Sequence, residues 1–288
     1  MQIIVAGLVM GCIYALAALG LVLIFRTTGV VNFAHGEMAM VTTFVSYIFL
    51  AGFELPYLVS LLLALVFAAI MGFILYWLVM KRVQSAPHLN QVVLTLGLFM
   101  ILNGIAGLVW GYHPSPFPEA ITAEPLHFWG IYISKNELFI VGITVLLMSI
   151  FFLLFRYTKM GLATRAASQD IKTSELMGIK VTRVFNGVWI AAAVLGGIAG
   201  MLTAPMTFLS PNMMLDILVF AFAAAVLGGF MNLGGAVLGA LMIGVLENMV
   251  SYYIDPNMKV ICVFLLIILV LYIRPQGIFG GAKIVKKV

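Results

Sequence analysis

The sequence predicts an all-α fold: a polytopic transmembrane helical bundle of about nine membrane-embedded helices with broken helix starts, forming a single domain over residues 1–288. Three observations carry this expectation. Of 288 residues, 64% are hydrophobic and only 9% charged, where a soluble domain carries roughly 25% charged. The mean hydropathy of +1.19 belongs to a chain whose solvent is lipid. Apolar runs of about 20 residues, the length of a membrane-crossing helix, recur from end to end.

The runs place helices near residues 2–25, 33–51, 56–80, 90–111, 136–155, 182–204, 212–228, 235–253 and 258–273. The first lacks a basic leading region and a small-residue cleavage pattern, and is too long for a signal-peptide core, so it reads as a retained helix. Pro56, Pro114, Pro116, Pro118, Pro125, Pro205, Pro211, Pro256 and Pro275 are expected in the breaks, since proline cannot continue a helix ladder. Cys12 and Cys262 lie inside apolar runs and read as packing residues.

Alternation of nine helices gathers Arg26, Lys81, Arg82, Arg156, Lys159, Arg165, Lys172, Lys180, Arg183, Arg274, Lys283, Lys286 and Lys287 on one side. Only Lys135 and Lys259 of the 15 basic residues fall on the other. Basic loops stay in the cytoplasm, so the amino terminus is expected outside, the carboxy terminus inside, and the acidic segment 112–137 outside. The net charge of +5 then reflects topology and requires no nucleic-acid partner.

No G-x-x-x-x-G-K-[ST], H-E-x-x-H, C-x-x-C or G-x-S-x-G occurs, and the four histidines are scattered. The chain is therefore expected to be no enzyme, to hold no metal and no cofactor, and to bind no nucleotide itself. Gly7/Gly11, Gly107/Gly111, Gly196/Gly200 and Gly235/Gly239 form G-x-x-x-G pairs suited to close helix crossings.

The polar residues inside this apolar chain are the candidate pathway residues. In "GVVNFAHGE", Gly29 and Arg26 suit a helix end, Asn32 suits the N-cap of the second helix, and Glu37 suits its positive end. His35 is not explained by capping. Broken helix starts that turn into the membrane line transport routes, which marks Asn32, His35 and Glu37 as pathway or gate candidates. "GGFMNLGG" repeats the Gly-x-x-Asn spacing at Gly229 and Asn232, hinting at an internal repeat. Asn103 and Glu247 (beside Asn248) lie within apolar runs. A charge at the bilayer centre costs at least about 2.5–3.5 kcal/mol, so Glu247 needs a partner. Asp216 reads as a helix-terminus residue behind Ser210 and Pro211.

Between the fifth and sixth helices lies the long polar segment "RYTKMGLATRAASQDIKTSELMGIKVTR", residues 156–183. Asp170 can cap a short helix over residues 171–177, carrying Glu175, with Gly178 closing it. Leu162, Ala163, Ala166 and Ala167 suggest a small-residue helix before it. Two capped helices at a membrane surface read as a docking element, with Ala166 and Ala167 small enough to enter a partner's groove and Arg165 and Asp170 at its rim.

"VNFAHGEMAM", "TLGL" at Thr95–Leu98, "GLATRAASQDIKTSELMGI", "AAAVLGG" and "GGAVLGALMIGVLE" together resemble the LivH-type permease subunits of branched-chain amino acid ABC transporters. The likeness runs from "GLVMGCIYALAALGLVLIF" to "RPQGIFG". It implies a second, LivM-type permease, two ABC ATPase subunits that bind the ATP, and an extracytoplasmic substrate-binding protein. It also implies a multi-pass location in a prokaryotic plasma (inner) membrane, surrounded by lipid. Branched-chain or other hydrophobic amino acids are the expected cargo. "GFMNLGG" and "SAPHLNQ" depart from relatives, and urea and amide carriers share the family. An ion-coupled secondary transporter or channel working without ATPase partners is the alternative, told apart by the energy source of uptake.

Overall fold

A computed structural model describes residues 1–84, 86–121, 125–128 and 131–280. The helices are α1 (Gln2–Thr28), α2 (His35–Tyr47), α3 (Tyr57–Leu75), α4 (Lys81–Val83), α5 (His88–Trp110), α6 (Lys135–Tyr157), α7 (Lys159–Gln169), α8 (Ile171–Leu176), α9 (Val181–Thr207), α10 (Leu215–Gly228), α11 (Leu233–Tyr253) and α12 (Lys259–Ile273). Five-residue π-helical turns extend α2 to Gly52 and join α3 to α4. Seven helical stretches among the described residues are long and apolar enough to cross a membrane. The two other expected segments, α2 and α10, are only 13 and 14 residues long.

Those two are short for one physical reason. The chain leaves α1 through Gly29 and leaves α9 through Phe208, both at positive φ (73° and 66°). Each time it then runs extended before a helix restarts. The two breaks share a local design. Asn32 and Asn212 each stand three residues before the new helix, and their carbonyls accept from the first helical N–H, of His35 (3.3 Å) and Leu215 (3.1 Å). Ala34 and Met214 occupy the N-cap with near-identical backbone (φ −76°, ψ 1° and φ −93°, ψ −3°), and each new helix carries an acid, Glu37 or Asp216, in its first turn. The preceding helices α1 and α9 are both 27 residues long.

The likeness extends to packing, with direction reversed. α1 lies along α11 as α9 lies along α3, α2 packs on α9 as α10 packs on α1, and α2 meets α5 as α10 meets α12. The helices α1, α2, α3 and α5 are thus repeated, upside down, by α9, α10, α11 and α12, with α6 between the halves. Inverted repeats of this kind are a transporter architecture. The repeat read from Gly29 and Gly229 is therefore corrected. Gly229 makes a tight turn at φ 94° and Asn232 is the immediate N-cap of α11, accepting from Gly235 N–H at 3.1 Å. Its surroundings match a short connector; the mate of the Asn32 break is the Asn212 break.

Helices α1 and α9 form the buried centre, while α3, α5, α6 and α12 turn large apolar side chains such as Leu62, Met100, Leu146 and Ile268 outward. Three of the four glycine pairs serve close crossings. Gly7 and Gly11 meet the α11 backbone at Gly244 and Leu241, Gly196 and Gly200 meet α2, and Gly235 and Gly239 meet α10. The fourth does not: Gly107 faces Tyr112 and Gly111 faces open space. A Cβ on Gly244 would overlap the backbone of Gly7 and Gly11. Gly244→Ala is thus expected to cost about 1–3 kcal/mol through overpacking, read as a lower midpoint of thermal unfolding in detergent.

One further expectation needs correction. Pro205 lies inside α9, two residues from its end, rather than in a break; the helix continues to Thr207, so the missing N–H removes one bond from its last turns. The all-α bundle stands, with one small antiparallel hairpin, Leu126–Phe128 with Ile131–Ile133, in the loop before α6. Gln2 at the start of α1 exchanges two hydrogen bonds with Tyr132 of that hairpin (2.6 and 3.0 Å). The opposite end of α1, residues 25–29, shares a cavity of about 930 Å3 with residues 167–172. The basic segment 156–183 and the hairpin loop therefore lie at opposite ends of the bundle, as the charge pattern requires. Lys283, Lys286 and Lys287, expected on the cytoplasmic side, lie outside the described residues.

Candidate translocation site

The two restarted helices meet each other inside the bundle. His35, the first residue of α2, inserts its imidazole between Gly20 of α1 and Gly196 of α9, where a Cβ on either glycine would collide with the ring. Gly20 lies eight residues before the end of α1, so α2 begins about 12 Å inside the bundle at 1.5 Å per residue. A Cβ on Gly36 would touch Met214 and Leu218, which puts the start of α2 beside the start of α10. Two helix N-termini, one approached from each face of the protein, thus lie together at depth. Peptide N–H groups left unpaired by helix starts carry partial positive charge, and discontinuous helices use such ends to hold polar cargo within a membrane.

Around this junction polar side chains converge, Glu37 buried, Asn103 half-buried and Asn212 exposed. Asn103 Nδ2 on α5 donates to Glu37 Oε2 (3.3 Å), to the Pro211 carbonyl (3.2 Å) and to Asn212 Oδ1 (3.3 Å). With two amide hydrogens for three acceptors, these bonds are shared or alternate. One side chain therefore joins α5, α2 and the break before α10. Asn32 is fully buried, and its Oδ1 accepts from Ala34 N–H at 3.1 Å. This corrects its assignment as N-cap: Ala34 holds that position, and Asn32 shapes the turn two residues earlier. Thr95 Oγ1 lies 3.4 Å from both Phe33 N–H and the Val31 carbonyl, tying the same break to α5. His35 is fully buried; the Ala17 carbonyl approaches the ring without closing an ordinary hydrogen bond.

Glu247 of α11 is buried with two partners. The Tyr14 hydroxyl donates to its Oε2, and Lys259 Nζ donates to its Oε1 at 3.1 Å. Asn248 bonds back to the Gly244 carbonyl (3.1 Å). The structure therefore brings Glu37 and Asn103 together and sets Glu247 in a separate cluster. Asn232 joins neither: its Oδ1 caps α11, and its Nδ2 donates to the Phe279 carbonyl at 2.8 Å, fastening the "RPQGIFG" segment. Asn212, Thr95, Tyr14 and Lys259 were missed. Asn212 had a readable signal, an asparagine closely followed by an acid at the head of an apolar run, as in Asn32 and Glu37.

At the basic end, Asp170 caps α8 by accepting from Thr173 N–H at 2.9 Å, and Gly178 closes the turn at φ 83°. Two details of the docking reading are overturned. Ala167 is buried with Gly161 and Thr164 on the inner face of α7, because small residues let this helix sit close to its own bundle. Arg165 turns back to the end of α6, donating to the Phe155 and Arg156 carbonyls (3.1 and 3.5 Å), where a cation meets the negative helix end. Ala166 is half-buried, and the outward surface is made by Leu162, Glu175, Leu176 and Met177.

The family described as the branched-chain amino acid transport system permease component matches residues 3–271. The high-affinity branched-chain amino acid transport permease LivH of Salmonella typhimurium is 29% identical, over 97% of this chain and 95% of its own. A probable LivH of Methanocaldococcus jannaschii is 32% identical over 92% of this chain and 88% of its own. A xylose/arabinose import permease, XylH of Sulfolobus acidocaldarius, is 30% identical over 66% of this chain and 52% of its own. No solved structure matches. Matched over nearly its whole length, and built as a membrane bundle around two broken helices, the chain belongs to the permease-component family of branched-chain amino acid transport systems.

Proposed function

We propose that the chain is the LivH-type subunit of an ATP-driven importer, moving branched-chain or other hydrophobic amino acids along the seam where α2 and α10 begin. Its partners are a LivM-type permease, two ABC ATPase subunits on the basic, cytoplasmic end, and an extracytoplasmic binding protein that delivers cargo to the opposite end. The observation that carries the reading is the Asn103-centred junction of Glu37, Pro211 and Asn212 at the two helix starts. Such a junction offers an amino acid both signs of partner: helix N-termini for its carboxylate and a carboxylate for its ammonium. A pathway fed by a binding protein needs only weak sites of this kind, because tight ones would slow release.

The test is uptake of leucine, isoleucine and valine into proteoliposomes holding the full complex. Uptake is expected to require the binding protein outside and ATP inside. Transport that persists without the ATPase subunits and collapses with an ion gradient would establish the ion-coupled carrier instead.

A further inference from the structure

A second polar site lies between the helix-start junction and the end of the bundle that carries the hairpin. A cavity of about 220 Å3 is lined by Tyr14, Asn212, Asp216, Glu247 and Lys259, with Met10, Ile217 and Phe220 as apolar wall. This is below the roughly 300–1,000 Å3 of sites for drug-sized ligands, so it suits a small solute. Glu247 is committed: one oxygen takes the Tyr14 hydroxyl and the other takes Lys259. Lys259 keeps two of its three N–H donors for other work, and its ammonium lies 5.4 Å from the centre of the Phe220 ring. Asp216 lines the same cavity and makes no hydrogen bond or ion pair among the described residues. The cavity therefore presents an uncommitted carboxylate and an ammonium with spare donors, set in an apolar wall.

We propose that this cavity is an antechamber subsite for the main-chain groups of a zwitterionic α-amino acid. Asp216 receives the ammonium, and Lys259 receives the carboxylate. Glu247 and Tyr14 are positioning residues that hold Lys259 toward the cavity. Asn212 stands in both places, lining this cavity and accepting from Asn103 at 3.3 Å, so it links the antechamber to Glu37. A brace between helices accounts for the Glu247–Lys259 pair, since paired charge is what a buried site tolerates. Asp216 lies outside that pair: it is exposed in the first turn of α10, where the helix start favours an acid, and it leaves its oxygens to the cavity.

The inference rests on the amino-acid reading above, and its test separates the two. In proteoliposomes holding the full complex at saturating binding protein, Asp216→Asn is expected to lower leucine uptake at least fivefold while binding-protein-stimulated ATP hydrolysis remains. Asp216→Glu and Lys259→Arg, which keep each charge, are expected to restore most of the uptake. Uptake by Asp216→Asn within twofold of wild type overturns the antechamber alone. So does equal loss in Asp216→Asn and Asp216→Glu, which would make Asp216 a packing residue. Wild-type complex that takes up no branched-chain amino acid overturns the amino-acid reading, and the antechamber with it.

Discussion

Glu37→Gln is expected to lower uptake by the assembled transporter between about tenfold and a hundredfold, with the amount of complex in the membrane unchanged. Glutamine has nearly the same shape and keeps an oxygen for Asn103, which reaches Glu37 at 3.3 Å, so the packing of the two helix starts survives. What is lost is a buried carboxylate beside the route. Hydrogen bonds to charged groups contribute about 1.5–3 kcal/mol, and each 1.4 kcal/mol is a factor of ten, which sets the range. Loss of the favourable charge at the α2 start costs only about 0.3–1 kcal/mol, too little to unfold a helix buried on all sides. Glu37→Ala would be less informative, because it leaves the Asn103 amide and an emptied volume behind. The check is initial uptake rate against complex recovered by size exclusion. Full transport in Glu37→Gln and in Asn103→Ala would reduce the cluster to an internal brace.

The hydrophobic runs made the seven long spans legible because lipid imposes length and apolarity on each span separately. Depth was not legible. Nothing in the hydropathy of "VNFAHGEMAM" says that α2 starts beside Gly20 rather than at the end of α1; that follows from Gly20 and Gly196 leaving room for the His35 ring. The inverted repeat was hidden for a related reason. Its halves run in opposite directions and share only a positive-φ residue, an asparagine three places before the restart and an early acid. The competing Gly-x-x-Asn match at Gly229 was equally good as a string and wrong as geometry. Glu247 was expected to have a partner, but Tyr14 lies 233 residues away and no local pattern names it. In α7 the small residues Gly161, Thr164 and Ala167 fall at spacing three, a readable inner face. Reading Ala166 and Ala167 as small enough for a partner's groove mistook, at Ala167, the side on which the room was needed.

The double substitution Leu176→Asp with Met177→Asp is expected to leave the permease inserted and folded but to strip it of its ATPase subunits, abolishing ATP-driven uptake. Leu176 and Met177 are 87% and 80% exposed at the tip of a helix that is otherwise firmly fixed. Asp170 caps its start, Ser174 is buried, and Gly178 returns its N–H to the Glu175 carbonyl at 3.0 Å. Large apolar side chains held rigidly outward at the basic end are what a docking contact requires. Burying each contributes about 1.5–3 kcal/mol, so losing both weakens association by more than about a hundredfold. The contact also has a mechanical route inward. Three residues after Gly178 the chain enters α9, whose far end gives way at Phe208 to the break holding Pro211 and Asn212. Under the proposed docking, a displacement of α8 would reach the Asn103–Glu37 cluster along α9. Ala167→Leu should behave differently, destabilising the seat of α7 on its own bundle before any partner is involved. Full recovery of ATPase subunits with the double variant, together with undiminished uptake, would place the docking contact elsewhere.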